Sequence, residues 1–249
     1  MGTKVNIMDM EVDLLPKETF QAEIQKYLDN DYLDVVHMIS LDYIDNYDTN
    51  ELVRQTLKEA QLVLPGERAI LSAHHVDVLE TGGMVVDYRG VSDILQSLKE
   101  QNRTLYLVLR NAKEAKVVYR YITRHFEKEQ IVGVYADDGE VTEEALINDI
   151  NTKLPDIILL SMASTAQEEW LENNKAKLNA KLCVVVGSVM PLVMRENVHV
   201  PTWICKLHLD GAYRWLAKIP YSNTFRKRIF NRKMDNYNSK KKLKKFRRL

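Results

Sequence analysis

The residue of this sequence with the clearest chemical potential is Gln167, which follows a short apolar stretch and a turn of small residues. Ile157 to Leu160 are four consecutive apolar residues, which is typical of a strand buried on both faces of a parallel sheet. Ser164 or Thr165 is suited to cap the helix that follows. Open α/β sheets bind nucleotides and other anions at such strand–turn–helix junctions. The sequence therefore predicts that the Gln167 amide is free to bond a ligand, with a surface glutamine in a first helical turn as the alternative.

Alternating helix and strand patterns surround this junction, and their order demands a parallel sheet with right-handed crossovers. The predicted helices cover 18–28, 51–60, 70–79, 91–101, 113–125, 143–154 and 167–178, and the predicted strands cover 34–41, 62–65, 105–109, 131–135, 157–160 and 182–186, with an edge strand or hairpin over 4–12. The predicted fold class is α/β, with a Rossmann-like parallel sheet, flanking helices and a basic C-terminal helical appendage. We expect an α/β domain over 1–200 and the appendage over 201–249.

The composition is that of a soluble globular protein, with 45% hydrophobic and 28% charged residues in a chain of 249. The two cysteines, Cys183 and Cys205, show neither a disulfide framework nor metal-ligand spacing, so we expect a cytoplasmic protein without a metal or cofactor. We also expect neither a signal peptide nor a membrane-spanning segment, because acids interrupt the N-terminal region and no apolar run approaches the ~20 residues that cross a bilayer.

The formal net charge of zero conceals a strongly basic C-terminal region, in which twelve Lys and Arg residues and one acid lie between Arg226 and Leu249. Leu243, Phe246 and Leu249 recur at three-residue spacing among these cations. This pattern favours a peripheral helix on an anionic membrane surface. A nucleic-acid-binding tail and an inert solvated tail are the alternatives, but the tail lacks a row of aromatic stacking groups and a reading motif, so we expect no nucleic-acid partner.

Several segments resemble the WecG/TagA/CpsF glycosyltransferases, glycosyltransferase family 26, over roughly residues 5–230. Gln167-Glu168 and Trp170 resemble that family's Pro-Lys-Gln-Glu segment, although Thr165-Ala166 stands in place of Pro-Lys. The matching segments are 60–65, which reads Ala-Gln-Leu-Val-Leu-Pro, 201–203, which reads Pro-Thr-Trp, and 209–214, which ends in Tyr-Arg. The sequence departs from the family where Ile39 replaces an asparagine and Gly66 replaces an aspartate, with Glu67 one place later.

The resemblance implies transfer of an N-acetylmannosamine-type sugar from a UDP-sugar to a polyprenyl-diphosphate-linked acceptor, in the assembly of cell-surface polysaccharide or teichoic acid. It assigns Glu67 as the substitute general base and Gln167 as a substrate-binding amide. It assigns the arginines Arg214, Arg226 and Arg228 to the diphosphate, with Arg89 as a further candidate, and guanidinium groups suit that task because they pair with phosphate in a planar fork. Arginines that supply this charge leave no need for a metal.

A second hypothesis remains open, because the replaced asparagine and aspartate would both be expected in the active site. In it, the chain is a catalytically inactive relative that acts as an accessory or scaffold protein at the membrane. A homo-oligomer is compatible with either hypothesis. Turnover of a UDP-N-acetylhexosamine separates the two hypotheses, whereas binding of UDP does not, since an inactive relative can retain it.

Overall fold

The computed structural model describes residues 2–72, 83–124, 127–163 and 165–196, together with 231, 232, 234–237 and 239. The strands are β1 (Thr3–Ile7), β2 (Met10–Leu14), β3 (Asp34–Ile39), β4 (Leu62–Pro65), β5 (Leu105–Leu109), β6 (Ile131–Ala136), β7 (Ile157–Ser161) and β8 (Leu182–Val185). The helices are α1 (Lys17–Asp29), α2 (Leu41–Tyr47), α3 (Glu51–Glu59), α4 (Arg68–Ser72), α5 (Arg89–Glu100), α6 (Ala112–Ile122), α7 (Glu143–Lys153), α8 (Ala166–Asn174) and α9 (Met190–Glu196).

The central element is a six-stranded sheet in the order β4-β3-β8-β7-β5-β6. All five of its strand pairings are parallel. Because all six strands run in the same direction, their carboxyl ends meet at one edge of the sheet, which we call the carboxyl edge. The structure confirms the predicted α/β class and the Rossmann-like parallel sheet.

Helices cover both faces of the sheet, and alternate residues of each strand serve the two faces. On β3, Val36 and Met38 pack with α1, α5, α6 and α9, whereas Val35 and Ile39 face the opposite layer, which contains α2, α3, α7 and α8. The chain leaves β3 into α2 on one face, and it leaves the adjacent β8 toward α9 on the other face. Neighbouring strands that continue to opposite faces open a crevice between them at the carboxyl edge, which is the usual ligand site of such sheets.

A two-stranded hairpin of β1 and β2 covers the outer side of β4. Its tight turn places Met8 and Asp9 at φ of 52° and 65°, as a two-residue hairpin loop with matching twist requires. Asp13 of β2 accepts a hydrogen bond from the backbone N–H of Val63 at 2.9 Å. This contact occupies an edge-strand donor that would otherwise be free to pair with another chain. Met234, from the C-terminal region, is also buried against the hairpin cluster.

The structure differs from the predicted elements mainly around β3 and β8. Residues 42–48, for which no helix or strand is predicted, belong largely to α2, and the Ser40 side chain caps that helix by accepting the Tyr43 N–H. Tyr43, Ile44 and Tyr47 are buried at helical spacing and provide the signal that the acidic residues obscure. Helix α8 ends at Asn174 rather than near residue 178, and α9 was not predicted.

Candidate functional site

Gln167 lies in the first turn of α8, directly after β7 reaches the carboxyl edge. Its side chain is only 2% exposed, and its Nε2 donates a hydrogen bond to Glu168 Oε1 at 2.9 Å. Its Oε1 has no hydrogen-bond partner among the described residues. The amide also lies against Gly187, since a Cβ added there would be 3.0 Å from Gln167 Oε1. One end of the amide, its acceptor oxygen, is therefore buried against Gly187 without a hydrogen-bond partner among the described residues.

Glu168 is the residue that joins the parts of this site. It is fully buried, and its Oε1 accepts the Tyr43 hydroxyl at 2.5 Å in addition to the Gln167 amide. Its Oε2 accepts the backbone N–H of Thr165 at 2.7 Å, which is the reach-back bond of a capping box. Thr165 has a φ of 74°, an unfavourable conformation for a β-branched residue. One carboxylate thus orients an amide, a phenol and a strained helix start.

Burial sets the protonation behaviour of this carboxylate and its neighbour. Desolvation raises the pKa of Glu168, while the hydrogen bonds from Tyr43, Gln167 and Thr165 oppose that rise by favouring the charged form. The pKa of the Tyr43 hydroxyl is raised far above its ordinary value, chiefly by burial and further by the Glu168 carboxylate. Tyr43 therefore remains a hydrogen-bond donor at any physiological pH.

His37 lies on β3 beneath this cluster, with its ring centroid 6.0 Å from that of Tyr43 in an edge-to-face arrangement. It is almost completely buried, and neither ring nitrogen has a hydrogen-bond partner within the part of the chain that the structure describes. Burial lowers the pKa of His37 from 6.5 to about 3. The imidazole is therefore neutral at physiological pH, and a buried polar group without a partner is a feature often found at ligand sites.

Glu67 follows β4 at the carboxyl edge and is 4% exposed. Its Oε1 accepts the backbone N–H of Leu41, the first residue of α2, at 3.0 Å. Tyr43, in the same helical turn, contacts Glu168, which in turn holds Gln167. The first turn of α2 thus connects Glu67 to Gln167, although no direct bond joins the two side chains.

The surroundings of Gly66 leave no space for the aspartate that the family has at this position. A Cβ at this position would lie 2.4 Å from Val189 Cγ2 and 2.7 Å from the Ile39 carbonyl oxygen. The Gly66 N–H also donates to that carbonyl at 2.7 Å. The space that a side chain would need is occupied by Val189 and by backbone, so the structure accepts only glycine there without movement.

A second polar group lies on the other side of Gly187. The Ser161 hydroxyl, at the end of β7, is 2.8 Å from Glu114 Oε1 and 3.2 Å from the Gly187 carbonyl oxygen, so it can donate to either. Arg110 Nε lies 3.6 Å from the other oxygen of Glu114. Ser161, Tyr43 and His37 were not predicted as site residues, although the position of Ser161 at the end of an apolar run is a signal that could have identified it.

Of the four arginines predicted to bind the diphosphate, the structure describes only Arg89. Arg89 is exposed at the start of α5, which runs back from the carboxyl edge, and its backbone N–H donates to Asp87 Oδ1 at 3.0 Å. Arg214, Arg226 and Arg228 lie outside the described residues. Their role in binding the diphosphate stays a prediction.

The described part of the chain also holds a cavity of 450 Å³, but at the opposite edge of the sheet. It lies between α3 and α8 and is lined by residues such as Tyr32, Gln61 and Leu171. The Glu168 cluster does not line it, so it is separate from the polar site.

Across 2–72, 83–124, 127–163, 165–196 and the described residues near 231–239, no group of three or more His, Cys, Asp or Glu residues could hold a metal ion. None of the helices in those ranges has the length and apolar character needed to cross a bilayer.

The fold and the site together define a Rossmann-like α/β protein with a buried polar cluster at the carboxyl edge of its parallel sheet. The model of the glycosyl transferase WecG/TagA/CpsF family matches residues 5–221, and the chain therefore belongs to this family. The match confirms the predicted resemblance and indicates a glycosyltransferase of cell-surface polysaccharide synthesis, with in general a nucleotide-sugar donor and a lipid-linked acceptor. Among curated proteins, none matches the sequence.

Proposed function

We propose that this protein transfers an N-acetylhexosamine, of the N-acetylmannosamine type, from a UDP-sugar to a polyprenyl-diphosphate-linked acceptor. The reaction would serve cell-surface polysaccharide or teichoic-acid assembly at the cytoplasmic side of the membrane. The observation that carries this proposal is the family match over residues 5–221. The retained Gln167, with an unpartnered buried oxygen at the carboxyl edge, supports it further.

In this proposal Glu67 removes the proton from the attacking hydroxyl of the acceptor, as general base catalysis requires. The bond from the Leu41 N–H fixes the direction of the Glu67 carboxylate at the carboxyl edge. Gln167 contributes a hydrogen bond to the substrate. Arg214, Arg226 and Arg228, together with Arg89, stabilise the charge that develops on the departing UDP, so that no metal is needed. The two roles can be tested separately, by substituting the four arginines for the stabilisation of UDP and by substituting Glu67 for the removal of the proton.

The test is turnover of the purified full chain with UDP-N-acetylhexosamines and a short-chain lipid-diphosphate acceptor, followed by mass spectrometry of the product. Glu67→Gln is the matched variant, because its amide oxygen can still accept the Leu41 N–H while the side chain can no longer take a proton. We expect wild-type turnover and a loss of at least about 100-fold in kcat for Glu67→Gln, since general bases contribute roughly 10²–10⁴-fold. Equal turnover in the two proteins would remove Glu67 from the mechanism.

A catalytically inactive accessory protein is the second candidate, and specific observations favour it. Position 66 cannot carry a side chain without displacing Val189 or backbone, Ile39 is apolar, and Glu67 is nearly buried. In that role the chain would bind a partner protein or a second copy of itself at the membrane. Absence of turnover with every UDP-N-acetylhexosamine, combined with retained folding, would favour this candidate, and light scattering would then report whether the chain self-associates.

Binding to an anionic membrane through the basic tail forms part of both candidates. The buried side chain of Met234 packs against the hairpin cluster, so a truncation that removes it would also disturb the α/β body. The informative comparison is therefore between the full chain and a version that ends at Ser239, which removes residues 240–249 only. We expect the full chain alone to float with anionic vesicles and neither version to float with neutral vesicles. Equal flotation of both versions would refute this role of the tail.

A further inference from the structure

We propose that Glu168 is a positioning residue that fixes the Gln167 amide with its oxygen toward the ligand. The site then recognises a hydrogen-bond donor of the substrate, such as a sugar hydroxyl or an amide N–H, rather than an acceptor. This inference deepens the proposed glycosyl transfer and rests on it for the identity of the ligand. The orientation of the amide itself can be measured without any turnover.

The orientation follows from the chemistry of the two side chains. An ionised carboxylate only accepts hydrogen bonds, whereas an amide has one donating and one accepting end. Glu168 Oε1 lies 2.9 Å from Gln167 Nε2, so the amide must face the carboxylate with its NH2 group. The oxygen is then directed away from Glu168, and it has no partner among the residues described. The amide packs closely against Gly187, since a Cβ there would lie 3.0 Å from the oxygen and 3.2 Å from Nε2.

A capping role alone does not account for the contacts of Glu168. The capping bond to the Thr165 N–H uses only Oε2, whereas Oε1 receives both the Gln167 amide and the Tyr43 hydroxyl. Complete burial of a carboxylate is unfavourable unless such bonds offset the loss of water. The Tyr43 hydroxyl comes from α2, a different helix of the same layer, and gives Oε1 a donor that is separate from the capping bond. The carboxylate is thereby locked in the orientation that determines how the amide points.

Glu168→Gln tests this inference because the shape of the side chain is kept while its donors and acceptors change. The Thr165 N–H still needs an acceptor, so the new amide places its oxygen there and its NH2 group toward Gln167. Gln167 must then turn its oxygen toward that NH2 group, which leaves its own Nε2 facing the ligand. We expect kcat/KM for the UDP-N-acetylhexosamine to fall about 10- to 100-fold, as leaving polar groups of a binding site mismatched does.

The double variant Gln167→Glu with Glu168→Gln is the matched rescue. A carboxylate at position 167 accepts from the new NH2 group with one oxygen and offers its other oxygen to the ligand, so an acceptor is restored. We expect the double variant to recover at least about tenfold in kcat/KM over Glu168→Gln, with the same melting temperature as that single variant. A purely structural role for Glu168 would leave the two variants equally impaired, and that result would overturn the inference while leaving glycosyl transfer intact.

A direct measurement on the wild-type protein covers the case in which the variants do not fold or no turnover is found. Selective ¹⁵N-glutamine labelling identifies the Gln167 NH2 signal by its loss in Gln167→Leu. We expect its hydrogen exchange to be at least about 100-fold slower than that of Gln96, whose Nε2 makes the same kind of bond to Glu100 on the exposed surface. Exchange as fast as that of Gln96 would overturn the inference. The inference requires slow exchange, to which burial of the side chain also contributes, and slow exchange without turnover would count against the proposed reaction alone.

Discussion

Replacement of His37 by leucine is expected to remove a large part of the acid sensitivity of this fold. His37 is buried on β3, and neither of its ring nitrogens has a partner within the described residues. Burial lowers its pKa from 6.5 to about 3, because a charged imidazole would lose its hydration there. The native state therefore excludes a proton that the unfolded chain accepts. His37→Leu keeps a similar side-chain volume and removes the titration.

The magnitude follows from the linkage between protonation and stability. Between pH 6.5 and pH 3 the unfolded chain binds more protons than the native protein, so the free energy of unfolding falls as the pH is lowered through this window. Each pH unit below 6.5 removes about 1.4 kcal/mol. At pH 5 the loss relative to pH 8 is therefore about 2 kcal/mol, which is a substantial fraction of the stability of a typical domain.

The assay is urea unfolding of wild type and His37→Leu at several pH values between 8 and 5, followed by tryptophan fluorescence. Other groups titrate in the same range, and the raised pKa of Glu168 acts in the opposite direction, because a carboxyl group with a raised pKa stabilises the fold as the pH falls. These contributions are shared by the two proteins. The difference between the two free energies of unfolding therefore isolates His37, and we expect it to change by about 2 kcal/mol between pH 8 and pH 5.

Met38→Leu provides the matched control, since it alters the same strand on the opposite face and introduces no titrating group. Its curve of stability against pH should run parallel to that of wild type. If the His37→Leu curve is also parallel, within about 0.5 kcal/mol, then the imidazole is not excluded from protonation in the native state. The deduction of a neutral buried histidine at this site would then be refuted.

Two further substitutions test contacts near β4 by the same unfolding assay. Gly66→Ala should destabilise the fold by about 1–3 kcal/mol, because its Cβ would lie 2.4 Å from Val189 Cγ2, and a loss below about 0.5 kcal/mol would contradict this crowding. Asp13→Ala should lower stability by about 1–3 kcal/mol, since it leaves the buried Val63 N–H without its acceptor. Asp13→Asn keeps an acceptor oxygen and should lose clearly less, and equal losses for the two Asp13 variants would argue against the hydrogen bond.

Much of the fold could be predicted because the strands of a parallel sheet are buried on both faces and appear as short apolar runs. The runs at 105–109 and 157–160 became β5 and β7 with little change. Helix α2 was missed because Asp42 and Asp48, which are exposed, dominate a segment whose Tyr43 and Tyr47 are buried. The order of strands in the sheet depends on crossover connections between distant segments, which local patterns do not encode.

The candidate site could be predicted only in part, for a similar reason. The strand–turn–helix pattern was sufficient to identify Gln167, and its prediction as a ligand-binding residue remains a prediction. The adjacent Glu168 was not predicted as a site residue, whereas the structure buries it against Tyr43. Those two residues are 125 positions apart in the sequence, so no local sequence pattern predicts their hydrogen bond. Contacts between helices that are distant in the sequence determine the chemistry of this site.

The backbone of residue 39 and the side chain of Val189 together leave no space for a side chain at position 66. The Gly66 N–H donates to the Ile39 carbonyl oxygen at 2.7 Å, and a Cβ at position 66 would collide with that same oxygen and with Val189. A side chain at position 66 therefore requires a shift of β3, β4 and the turn after β8 together, and reverting Gly66 alone would not restore a carboxylate in working position. If this protein is an active transferase, its base must come from a residue that the present packing already presents at the carboxyl edge. Glu67 meets that condition, because the Leu41 N–H holds its carboxylate beside the same turn of α2 that contacts Glu168.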